Sequence, residues 1–150
     1  RNRLKSKYQP NELPPMYLAF LERNCSYIGL RTEFKTTPIL PHGLHGIHIS
    51  NGAYIGADCV IMQNVTIGNN TLPGTKRPGS PIIGDNVFIG ANATIIGGIR
   101  LGNNVRVASN ACVYMDVPDN YTVVGTGRVI PHSEQVDNTF IGIMDLYKKL

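Results

Sequence analysis

A chain of 150 residues, 42% hydrophobic, 16% charged and without Trp, has the length of one domain and is too short for two comfortable ones. Its formal net charge of +4 is modest and spread along the chain, with no interleaving of basic and aromatic residues, which argues against a nucleic-acid partner and suits a phosphorylated small molecule. With no run of eighteen apolar residues and no charged-then-apolar leader, the expectation is an unexported cytoplasmic protein without membrane insertion.

Residues 1–11 are polar and basic and read as a flexible arm or the remnant of a longer domain. The apolar run Met16-Tyr17-Leu18-Ala19-Phe20-Leu21 after Pro14 and Pro15 predicts a short helix to Glu22, so residues 1–26 are expected to form an arm and helix. Ile28, Phe34 and Leu40 then lie six apart, but Leu40 to Ile49 spans nine positions, which places a bulge at Pro41-His42-Gly43-Leu44-His45-Gly46.

From Ile49 the spacing is regular. Aliphatic anchors fall at Ile49, Ile55, Ile61 and Ile67, and again at Ile83, Ile89, Ile95, Leu101, Val107 and Val113. Three places after each stand Gly52, Asp58, Asn64, Asn70, Asn86, Asn92, Gly98, Asn104, Asn110 and Asp116, residue types that tolerate positive φ and predict a left-handed corner. The next places hold Ala53, Cys59, Val65, Thr71, Val87, Ala93, Ile99, Val105, Ala111 and Val117. A period of six fits neither a helix nor a coiled coil and marks stacked repeats of strand, corner and strand. Anchors and small residues point to one interior if the chain winds as a solenoid, each buried Ile or Val contributing about 1.5–3 kcal/mol. Backbone groups pair between successive coils, leaving open edges only at the two ends. Strands of a sandwich would show variable hairpin spacing, which this chain lacks.

Residues 69–82, rich in Pro and Gly, predict a loop leaving the coil. Repeats resume at Ile83 and end near Val117-Pro118. After Gly125-Thr126-Gly127-Arg128, the helical spacing of Phe140, Ile143, Met144 and Tyr147 predicts a C-terminal helix within 131–150 that packs on a neighbour or caps the solenoid. Cys25, Cys59 and Cys112 lack metal-ligand spacing and are expected to be reduced core residues.

Solenoids accept insertions on a binding face, so the two register breaks are where chemistry is expected. The first holds His42 and His45, and neutral imidazole is the side chain suited to take a proton from a hydroxyl near neutral pH. His48 alternates with Ile47 and Ile49 and faces away from the core, while His132 has no evident partner.

The segments Ile55 to Gly68, Ile83 to Ala93 and Asp116-Val117-Pro118 resemble the hexapeptide-repeat acyltransferases, and within them the serine acetyltransferases and capsular polysaccharide O-acetyltransferases, over about residues 27–130. The resemblance implies an all-β fold, a left-handed parallel β-helix, and an O-acetyltransferase using acetyl-CoA as co-substrate at sites shared between subunits of a homotrimer, with no metal. It implies His42 as the base that deprotonates the acceptor hydroxyl, with His45 as rival because the loop is one residue longer than in typical serine acetyltransferases. Gly90, Ala91, Ala108 and Ser109 match the small residues along which the pantetheine lies, with a backbone N–H near Gly90-Ala91 to polarise the thioester, and Lys76, Arg77 and Arg128 match phosphate and adenine contacts. Two features depart from serine acetyltransferases. Tyr27 stands where an aspartate orients the histidine, leaving Glu33 as the nearest upstream acid, and Arg77, Pro78, Gly79 and Ser80 stand near a second, serine-gripping histidine, so a sugar hydroxyl rivals serine as acceptor. A zinc carbonic anhydrase on the same coil, with His42, His45 and His48 as ligands, and a non-catalytic oligomerising coil are the alternatives; the absence of histidine from coils 83–117 argues against the former.

Overall fold

The computed structural model describes residues 14–134 and 136–141. Helix α1 (Pro15–Arg23) starts on the prolines that pre-set its φ and ends at Asn24, whose N–H returns to Phe20 O and Leu21 O. The arm at 1–11 and most of the predicted C-terminal helix lie outside the described residues; Phe140 and Ile141 are in irregular chain. No described helix is long and apolar enough to cross a membrane.

Fourteen short strands follow among the described residues. One face of the solenoid stacks β1 (Tyr27–Ile28), β3 (His48–Ile49), β6 (Thr66–Gly68), β9 (Thr94–Ile96) and β12 (Cys112–Val113). The next stacks β2 (Glu33–Phe34), β4 (Tyr54–Ile55), β7 (Ile82–Ile83) and β10 (Arg100–Leu101). The third stacks β5 (Val60–Ile61), β8 (Phe88–Ile89), β11 (Arg106–Val107), β13 (Tyr121–Val124) and β14 (Arg128–Pro131). All pairings are parallel except β13 with β14, and each turn of chain visits the three faces in order, as a left-handed parallel β-helix does. The antiparallel β14 was not legible in the repeat; it folds back at Gly125 and Gly127, both with positive φ, and covers the open edge of β13.

All ten anchors from Ile49 to Val113 are buried, and so are the small residues after the corners apart from Thr71, which lies in the long loop. The first coil is looser. Phe34 is exposed and Ile28 and Leu40 half-buried, because an end coil has a neighbour on one side only, although the Ile39–Val60 bridge keeps Leu40 in register with the anchor Ile61. Cys59 is buried, and burial pushes its thiol up to about 11. Cys112 is half-buried, and Cys25, expected in the core, is instead exposed at the turn after α1 with φ +49°.

The left-handed corner appears at Gly52, Asp58, Asn64, Asn86, Asn92, Asn104 and Asn110. It is missing at Asn70, Gly98 and Asp116, all on the side between the first and second faces. Asn70 instead pairs with Gly79 at the root of the long loop; Gly97 takes the positive φ in place of Gly98; and the coil ending at Asp116 is shorter, with Leu101 opposite Val117. Elsewhere the corners stack into side-chain ladders. Asn86 Nδ2 donates to Asn104 Oδ1 and Asn104 Nδ2 to Asn120 Oδ1, at 2.9 and 3.0 Å. Asp85, Asn103 and Asp119 accept the backbone N–H of Ala57, Asp85 and Asn103, each at 2.8 Å.

Ile89→Ala empties a site with no exposed surface and is expected to lower stability by about 2–5 kcal/mol. Asn110→Ala forces a Cβ residue without side-chain hydrogen bonding into φ +60° and is expected to cost about 1–2 kcal/mol, while Asn110→Gly costs less. Urea unfolding of the three variants checks the order.

Candidate active site

The bulge at 41–46 turns the corner between the third face and the first. Gly43 and Gly46 have positive φ, and Gly43 N–H closes a turn on Leu40 O. The far end of the bulge is pinned from three sides. Gly46 N–H donates to Asn24 O at 2.9 Å, His45 O accepts Asn64 N–H at 2.9 Å, and the buried Ser26 hydroxyl accepts Ile47 N–H at 3.0 Å while lying 2.8 Å from Leu44 O. His42 is therefore presented on an anchored loop.

The His42 imidazole is exposed, with Nδ1 2.7 Å from Oε1 of half-buried Gln63. Strand register explains the meeting. Ile39 stands opposite Val60, Val60 opposite Phe88 and Phe88 opposite Arg106, so three residues further on His42, Gln63, Ala91 and Ser109 occupy one corner on successive coils. Gln63 was missed in the sequence because nothing local marks it; only the register puts it under His42. Neither Tyr27, whose hydroxyl accepts from Asn51 Nδ2, nor Glu33, on the second face, is the side-chain partner of His42.

His45 is exposed in the same loop, and His48 points outward from β3 with Nδ1 3.1 Å from Gly46 O. His132 has a partner after all, Thr122 Oγ1 at 2.8 Å from Nε2; burial, and secondarily the charge of Arg106, lower its pKa. Among the described residues no three His, Cys, Asp or Glu side chains are grouped to hold a metal ion.

The four small residues Gly90, Ala91, Ala108 and Ser109 share the corner of His42. Gly90 itself is buried and its N–H donates to Val107 O at 2.8 Å, so it is committed to the ladder; a Cβ there would stand 2.5 Å from Ser109 N, so packing on the next coil already demands glycine. Ala91 and Ala108 are half-buried and Ser109 is exposed. Lys76 and Arg77 are not brought to this corner within one chain. Their loop leaves the opposite edge of the first face, after β6, and returns at Ile82, which already belongs to β7. Asn70 and Gly79 exchange backbone hydrogen bonds at the loop's root, and Arg77 O accepts Gly98 N–H at 3.0 Å. Arg77 Nη1 pairs with Asp116 Oδ1 at 2.9 Å, which holds the Asp116 carboxyl below the usual carboxylate range, helped by Arg100 N–H. Arg128 is exposed on β14 and Lys76 is exposed on the loop.

Residues 80–114 match the bacterial transferase hexapeptide family of six repeats. The chain is 41% identical over 95 residues to a serine acetyltransferase of Synechococcus elongatus, covering 63% of this chain and 38% of that protein, and 40% identical over 90 residues to one of Mycobacterium tuberculosis, covering 59% and 38%. The crystal structure of Neisseria gonorrhoeae serine acetyltransferase superposes with a TM-score of 0.68 at 31% identity, over 80% of this chain and 48% of that one. Soybean serine acetyltransferase in complex with serine gives 0.63 at 31%, over 77% and 49%. In its repeats and its coil the chain is similar to the hexapeptide-repeat acyltransferases, and among them to serine acetyltransferase, while spanning less than half the length of these relatives.

Asp116→Asn is expected to speed tryptic cleavage after Lys76, read by mass spectrometry, by no more than about fivefold, the factor supported by the 1 kcal/mol ceiling of an exposed ion pair. Because the Asp116 pKa is lowered, the pair's contribution is present above the ordinary carboxylate value and lost as pH falls through the lowered one, so the native loop loosens only in acid.

Proposed function

We propose that this protein is an O-acetyltransferase that moves acetyl from acetyl-CoA to the hydroxyl of serine, with His42 as the base. The carrying observation is the corner column in which His42 stands over Gln63 and then over the small residues Ala91 and Ser109. Because the column shortens to Ala91 and Ser109 beyond Gln63, a thin pantetheine arm would lie on Ala91, Ala108 and Ser109 and bring its thioester to the histidine.

In this mechanism His42 Nε2 takes the hydroxyl proton as the oxygen attacks the thioester carbonyl, and the tetrahedral intermediate collapses with loss of the CoA thiolate, which recovers the proton from the imidazolium. Since the Gly90 N–H is bound in the ladder, the neighbouring Ala91 N–H is the candidate to polarise the carbonyl. Lys76 and Arg128 supply positive charge for the phosphates of CoA; Arg77, already paired with Asp116, serves chiefly to hold the loop. The basic loop and His42 flank opposite edges of one face, so a site that uses both is completed by a neighbouring copy. This favours a homotrimer built around residues 27–130, with each crevice lined by two subunits.

His42→Ala is expected to lower transfer by about 10²–10⁴ while acetyl-CoA binding, measured by calorimetry, persists, and His45→Ala is expected to change transfer little. Undiminished transfer in His42→Ala would remove the assignment of the base. An acceptor screen of amino acids against sugars, followed by release of free CoA, tests the acceptor: serine is expected to support release, and release with sugars alone would replace it.

A further inference from the structure

We propose that Gln63 is the positioning residue that selects the basic tautomer of His42, in place of the carboxylate that Tyr27 cannot supply. The proposal rests on His42 being the base. Gln63 Oε1 lies 2.7 Å from His42 Nδ1, and an amide oxygen can only accept. Nδ1 therefore carries the proton and Nε2 keeps its lone pair, which is the state a base needs.

The backbone that carries Gln63 is held on both sides. Met62 N–H donates to Ile89 O at 3.0 Å, Gln63 O accepts Asn92 N–H at 3.1 Å, and Asn64, at φ +59°, donates its N–H to His45 O. The last bond joins Gln63's corner to the histidine loop, so a shift of one moves the other. The chain places an uncharged partner where an acid would more strongly stabilise the imidazolium. Gln63 thus fixes ring orientation and proton position without adding charge to a crevice that must admit the anionic phosphates of the donor.

The test has an arm that does not depend on turnover. In ¹⁵N-histidine spectra at alkaline pH, His42 of the native protein is expected to show the Nδ1–H tautomer, and Gln63→Leu to shift it toward Nε2–H. In kinetics, Gln63→Leu is expected to lower kcat by about 10–100-fold with KM for acetyl-CoA little changed, as when other groups that orient a functional imidazole are removed, and Gln63→Glu, which offers the same acceptor oxygen, is expected to restore the tautomer and most of the rate. A native Nε2–H tautomer, or a tautomer unmoved by Gln63→Leu, overturns the proposal. If the tautomer follows Gln63 but no acceptor yields free CoA, the positioning stands and the acetyltransferase reading falls.

Discussion

The structure depends on a backbone bend made every sixth residue and repeated in register on the coil above. At seven of the ten such corners between Gly52 and Asp116 an Asn, Asp or Gly accepts positive φ, which most side chains resist by about 1 kcal/mol or more. The bend directs the preceding aliphatic anchor and the following small residue into the same interior. Because bends stack, their amides bond to one another along the helix axis, so the polar corners and the apolar files reinforce each other. Removing the periodicity would lose both at once.

That regularity also builds the corner to which the proposed chemistry is assigned. A coil whose offset between faces is constant puts residues that are distant in sequence into one vertical column. At the corner between the third and first faces, the bulge lifts a histidine to the head of such a column while its far end stays tied to α1, Ser26 and the coil below. Farther down, the side chains shorten to Ala91 and Ser109. The long loop, clasped by Arg77 and Asp116, projects from the opposite edge of the same face.

Some features that look functional in the sequence have a structural cause. Gly90 is glycine because the next coil's backbone leaves no room for a Cβ, whether or not a cofactor passes nearby. Arg77 carries a charge that is already answered by Asp116. Conversely, Gln63 looks like an ordinary polar residue between Met62 and Asn64, and only its coil neighbours reveal what it touches.

The amino-acid sequence by itself determined the coil, its period, its anchors, most corners, the first helix and both interruptions, since each depends on the conformational limits of nearby residues. Tertiary structure decided which corner each interruption leaves, that β14 turns back antiparallel, that Cys25 is exposed, and that His42 meets Gln63. The corners that the interruptions leave and the meeting of His42 with Gln63 depend on register between coils, which accumulates over every insertion and shortening between two positions, so no local pattern records it, while Cys25 and β14 lie at the two ends of the repeat, where its period no longer dictates what packs inside.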